Sequence, residues 1–150
     1  MAKEPTDPTA EFGFLLHDTA RLLRWNFDRR ASALGVTRSQ WQVLMRLKRK
    51  DGMAQVELAQ QMDIQPISVS RLIDRLEEDG WVERRDDPTD RRTKRVFLTS
   101  KVRPMLEKLM ACGAATRVEA LAELSDAEKR QLMELLERIR TNLCDKGRKA

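Results

Sequence analysis

Histidine and cysteine are almost missing from this chain, which has one His and two Cys in 150 residues. Those three side chains cannot complete a four-ligand zinc site without carboxylates, and Cys112 and Cys144 show no CxxC spacing. Neither a structural zinc nor a disulfide scaffold is expected, both thiols are read as buried or inert, and no metal or other cofactor is called for. Long apolar runs are missing too. The longest charge-free stretch, Leu109 to Thr116, is eight residues, against the roughly 20 that a membrane-spanning helix requires. Met1–Asp7 lacks the apolar centre of a signal peptide. A soluble, cytoplasmic chain is predicted. Catalytic signatures are equally absent: there is no Gly-rich phosphate loop, no HExxH, and no Ser or Cys nucleophile at hydrolase spacing. No catalytic residue is expected and the chain is not read as an enzyme. The rival would be a Mg²⁺-dependent nuclease site at Asp86, Asp87 and Asp90, but these carboxylates lie among arginines on a turn.

What the chain has in excess is charge. It is 35% charged and 41% hydrophobic, against roughly 25% charged for an average globular domain, so it can bury a core and still present a strongly charged face. Lys and Arg outnumber Asp and Glu, 29 to 24, for a net charge of +5. Most of that surplus is local, because between Trp81 and Arg103 eight basic residues face four acidic ones. A basic patch of this kind is either a solvated loop or a surface for an anionic partner.

Helical periodicity accounts for most of the chain. Apolar residues from Phe12 to Phe27 recur at three-to-four spacing, predicting a long first helix from about Thr9 to Ala33, ended by Gly35. Thr37 with Gln40 is a capping-box pattern that opens a second helix through Trp41, Val43, Leu44 and Leu47. Asp51-Gly52 stops it. Val56, Leu58, Ala59 and Met62 mark a short third helix. Pro66 suits the first turn of a fourth, with Val69, Leu72, Ile73 and Leu76 facing inward and Gly80 as its stop. Two short β-type runs, Trp81–Arg84 and Arg95–Thr99, flank the turn formers at 86–90 and predict a hairpin with a basic tip. A fifth helix begins near Pro104. Ser125 with Glu128 caps a sixth, after which the tail from Lys146 to Ala150 reads as frayed.

Helix three, the turn Asp63-Ile64-Gln65 and helix four form a helix-turn-helix, and the hairpin directly after it makes a winged version. The fold class is therefore mainly α with a small β wing. In such an arrangement the start of the fourth helix meets base edges, where Arg71 reaches guanine, Ser70 offers a hydrogen bond and Ile67 touches a thymine methyl. Arg91 and Arg92 sit where a wing enters the adjacent minor groove, Asp90 is expected to pair with one of them, and Lys94 and Arg95 to meet phosphate. The first helix and the two last ones flank the winged-helix centre with apolar stripes, which predicts dimerisation helices at 9–33 and 100–148 around a DNA-binding domain at 36–99.

The motif Gln65-Pro66-x-Ser68-x-Ser70-Arg71-Leu72-x-x-Arg75-Leu76-Glu77-x-x-Gly80, followed by Arg84-Arg85-x-x-Pro88-x-Asp90-Arg91-Arg92 and Leu98-Thr99, resembles the MarR family, its SlyA-like members in particular, from about Phe12 to Leu143. The one visible departure is Val102, where the family commonly has Gly three residues after Leu-Thr. The resemblance implies a homodimeric winged-helix transcriptional regulator, usually a repressor, on a pseudo-palindromic double-stranded DNA operator. It places DNA contacts at Ile67, Ser70, Arg71 and Arg92, with Asp90 as the partner of Arg92; Gln65, Pro66, Ser68, Arg75, Arg91, Lys94 and Arg95 complete the expected surface. It further implies release by a small aromatic carboxylate or acyl-thioester, for which His17, Arg21, Trp25 and Trp41 are the candidate effector residues, offering aromatic walls and a cation. The alternative is an architectural or protein-docking winged helix that answers to no effector.

Overall fold

The structure is a computed structural model and describes residues 7–147. Six α-helices and three short strands follow in the order α1 (Phe12–Ser32), α2 (Arg38–Arg49), β1 (Met53–Ala54), α3 (Gln55–Met62), α4 (Pro66–Glu78), β2 (Val82–Asp86), β3 (Lys94–Leu98), α5 (Arg103–Ala120) and α6 (Asp126–Gly147). A 3₁₀ turn at Ser100–Val102 leads into α5. The chain divides into two compact units, one ending at Thr116 and the other beginning at Arg117.

Local chemistry sets most of these boundaries. Helix α1 starts three residues later than its apolar period suggests, because the Thr9 amide and hydroxyl both donate to the Asp7 carboxylate and hold that stretch in a turn. At α2 the Thr37 hydroxyl accepts the Gln40 amide while the Gln40 side chain accepts the Thr37 amide, a complete capping box. The same reciprocal arrangement joins Ser125 and Glu128 ahead of α6. Helix α6 continues through Gly147, two residues into the tail read as frayed; the last three residues lie outside those described.

The strands form one antiparallel sheet in the order β1-β3-β2, with Val82 opposite Leu98, Arg84 opposite Val96, and Met53 also opposite Val96. Strand β1 is the element that sequence periodicity misses, since two residues carry no alternation to detect. It depends on the turn before it. Gly52 adopts φ +71°, where a Cβ would lie 2.6 Å from the Phe97 ring, and the Asp51 carboxylate accepts the Leu98 amide.

The hydrophobic core of the first unit includes Val43, Leu44 and Leu47 of α2, Leu58 and Ala59 of α3, Val69, Ile73 and Leu76 of α4, Val82 and Val96 of the hairpin, and Leu106 and Leu109 of α5. Leu72 and the turn residue Ile64 pack against it. Val102 is also fully buried, so the departure from the family pattern fills core space at the entry to α5. Cys112 is half-buried and Cys144 exposed, and both are free thiols. Among the described residues no helix is long and apolar enough to cross a membrane.

Helices α1 and α6 bury little. Phe14, Leu15 and Trp25 on the first, and Met133, Leu135 and Leu143 on the second, are between 45% and 79% exposed. Solvated apolar faces of this extent are characteristic of surfaces that meet another chain.

Candidate nucleic-acid interface

Helix α4 is seated on the core by Val69, Ile73 and Leu76, which turns the opposite face outward. Gln65, Pro66, Ile67, Ser68, Arg71 and Arg75 are exposed and Ser70 is half-buried. Pro66 occupies the first helical turn, where its missing N–H costs nothing. Asp63, in the left-handed conformation at φ 52°, makes the turn that swings α4 away from α3. An open cleft of about 250 Å³ lies between the start of α3, the start of α4 and the wing; Gln55, Val56, Pro66, Arg92, Thr93 and Lys94 line it. The structure therefore brings the expected wing arginine beside the N-terminus of the expected reading helix.

The basic residues divide sharply by partner. The guanidinium groups of Arg71 and Arg75, one turn apart on α4, and of Arg91 and Arg92 on the wing tip have no ion pair or hydrogen bond among the described residues. The rest of the hairpin's cations are engaged. Lys94 pairs with Asp86, and Arg85 pairs with Glu83 while stacking over Phe97 at 4.3 Å. Arg95, expected at phosphate, turns toward the wing's own base: its Nε donates to Asp87 and its Nη1 to the Gly52 carbonyl at 2.9 Å. Charge counting on the sequence misses this, because it sees a basic residue and not the buried carboxylate that holds it.

Asp87 is that carboxylate, only 5% exposed. One oxygen accepts the Thr89 amide, the Thr89 hydroxyl and the Asp90 amide, and the other accepts Arg95. Asp90 repeats the device at the tip. Its two oxygens accept the Arg92 amide at 3.0 Å and the Thr93 hydroxyl at 2.9 Å. These bonds correct the expected pairing with an arginine side chain: Asp90 orders Arg92 through its backbone and leaves the guanidinium free. With Asp86 on Lys94, the three wing carboxylates serve the turn itself, and no group of three or more His, Cys, Asp or Glu that could hold a metal is found among the described residues.

The donors around Asp87 hold its carboxyl well below the usual carboxylate range, first through the Thr89 hydroxyl and amide and then through Arg95. A lowered folded value means that this stabilisation is complete above the unfolded carboxyl's pKa, about 3.9, and is lost as pH falls through the folded value. The urea midpoint of the native protein is expected to drop as pH is lowered below about 4, and Asp87→Asn to start lower at neutral pH and lose less. Equal acid sensitivity of the two proteins would remove Asp87 from this role.

Arg84 is the residue that sequence reasoning undervalued. Read as one of eight surface charges, it has a side chain only 19% exposed, with bonds to Gln55 on α3 and to Ser70, Asp74 and Glu77 on α4. The available signal was the placement of acids at 74 and 77, on the α4 turns that face the following strand.

The MarR family model matches residues 36–94, from two residues ahead of α2 to the first residue of β3. A protein described as transcriptional regulator PA3341 is similar over 89% of this chain and 98% of its own length, with 36% identity and a TM-score of 0.79. The chain belongs to the MarR family. A MarR transcriptional regulator from Methanosarcina mazei Go1 is 26% identical, covering 89% of this chain and 96% of its own, with a TM-score of 0.79. A mutant MarR from E. coli complexed with operator DNA is 27% identical, covering 89% and 99%, with a TM-score of 0.71.

Within this MarR-family chain the candidate effector residues are dispersed. His17, Arg21 and Trp25 are exposed on α1; Arg21 faces Asp18 at 3.4 Å, and the Arg29 guanidinium lies 5.2 Å from the Trp25 ring. Trp41 is different. It packs on Phe27 with ring centroids 4.4 Å apart, and its indole N–H donates to Asp28 at 2.7 Å, so it fastens α2 to α1.

Proposed function

We propose that the chain is a sequence-specific regulator of transcription that binds double-stranded DNA in the cytoplasm as a homodimer, on a pseudo-palindromic operator, and acts as a repressor. The observation that carries this reading is the unpaired state of Arg71, Arg75, Arg91 and Arg92 on one helix and one wing, in a hairpin whose other cations are neutralised. Charges with no internal partner along the outward face of a helix and at a wing tip fit base-edge and minor-groove contacts. The E. coli relative complexed with operator DNA supports the same partner.

In this reading residues 36–99 read DNA, and residues 9–33 and 100–148 join two copies through the apolar faces of α1 and α6. Control by a small aromatic carboxylate or acyl-thioester is assigned to His17, Arg21, Trp25 and Trp41, with Trp41 acting chiefly through its hold on α1. The coupling available to such a ligand is about 1–3 kcal/mol.

Selection of bound duplexes from a random library tests the proposal. The selected sites are expected to be palindromes with half-sites about 10 bp apart, bound by a species that sediments at twice 17.4 kDa. An aromatic acid or thioester is expected to release them. Binding without sequence preference would favour the architectural alternative, and a monomer on a palindrome would remove the dimer.

A further inference from the structure

We propose that Arg84 is a positioning residue for DNA reading: by gripping α3, α4 and β2 at once, it fixes Arg92 of the wing at a set distance and angle from Arg71. This rests on the DNA reading above and adds to it a residue that acts from behind the contact surface.

All three guanidinium nitrogens are engaged. Nε donates to Gln55 on α3 at 2.6 Å; Nη1 pairs with Glu77; Nη2 donates to the Ser70 carbonyl at 2.9 Å and pairs with Asp74 at 2.7 Å. The Arg84 amide also donates to Glu77 at 2.8 Å, so one carboxylate holds both backbone and side chain of the same residue. The Ser70 carbonyl adjoins Arg71, which anchors the fork on the turn that carries the base-reading side chain. On the other side, Arg84 lies mid-strand in β2, opposite Val96 of β3, whose first residue, Lys94, follows the wing tip.

The covalent link between α4 and β2 is short and turns at Gly80, with φ +75°. A planar fork on four separate acceptor groups fixes the angle of hairpin to helix in a way that a hydrophobic contact, which lacks direction, does not. Lysine cannot substitute. It carries the charge as a point on a flexible stem and has no rigid fork to span the four acceptors. The grip also holds Asp74 and Glu77, which would otherwise present bare negative charge beside phosphate.

The test uses the full-length protein and its library-selected operator, with affinities normalised to the DNA-competent fraction so that partial unfolding cancels. Arg92→Ala is measured in the native background and in Arg84→Gln and Arg84→Lys backgrounds. It is expected to weaken binding roughly tenfold in the native protein and less than about threefold in both variants, because a wing free to pivot no longer delivers its arginine in register. Arg71→Ala is expected to keep its full cost throughout. An equal cost of Arg92→Ala in all backgrounds, or restoration by lysine, would overturn the proposal. Should the Arg84 variants fold poorly, Glu77→Gln keeps an acceptor for the Arg84 amide while weakening the grip, and an intermediate loss is expected there; an undiminished Arg92 contribution counts against the proposal.

Hydrogen exchange without DNA gives an independent readout. Amides of β2 and of the wing turn are expected to exchange faster in Arg84→Gln, with those in the middle of α4 unchanged; identical protection would overturn the grip itself. If the native protein selects no DNA sequence, the DNA reading fails, and the exchange comparison alone decides whether Arg84 holds wing to helix.

Discussion

Arg71→Ala is expected to cost about 1–3 kcal/mol per half-site, the scale of a lost bidentate contact to a guanine edge. The proposed symmetric dimer would lose the contact twice, so affinity for a full operator should fall roughly 30-fold to 10⁴-fold. The prediction follows from two features of Arg71: it is exposed on the first half of α4, and it has no internal partner whose loss would confuse the result. The loss should concentrate at one base pair in each half-site, with that position becoming tolerant of other bases. Uniform weakening across all sequences would instead make Arg71 a phosphate contact.

Ile73→Ala should have the largest effect on stability. The side chain is fully buried at the centre of the seat that Val69, Ile73 and Leu76 make for α4. Truncating a buried isoleucine to alanine costs about 2–5 kcal/mol, through lost transfer energy and the cavity left behind. Against a typical folding stability of about 5–15 kcal/mol, that is a large share. Urea denaturation should register it directly. On the proposed DNA reading only the folded protein binds, so saturating DNA should recover part of the loss by mass action. A loss below about 1 kcal/mol would mean that the site collapses around the gap.

How much of this was legible in the sequence depends on the range of the interaction involved. The capping boxes at Thr37 and Ser125, the Pro66 start and the inward stripe of α4 are encoded within four residues of one another, and reading the chain locally finds them. Strand β1 escapes because its evidence lies 43 residues away in the register with β3. The candidate interface follows the same division. Exposure of Arg71 and Arg92 is foreseeable from periodicity and turn composition. The diversion of Arg95 to Gly52, and of Arg84 to Gln55 and the Ser70 carbonyl, is not, because those partners are brought close only when the hairpin folds back on the helices. The role of Asp90 lies between. Its proximity to arginine was visible, but a short carboxylate within two residues of an amide favours the backbone over a long, mobile guanidinium.

The wing tip has a consequence for how such a protein changes over time. Apart from the Arg95 guanidinium on Asp87, every hydrogen bond that shapes residues 87–93 runs among Asp87, Thr89, Asp90 and Thr93 or to a main-chain amide, and the side chains of Arg91 and Arg92 contribute none of them. The turn is thus a holder with two exchangeable positions. Substitutions at 91 and 92 can explore new groove preferences while the loop keeps its form, so the taste of the wing for DNA can drift between relatives without passing through unfolded intermediates.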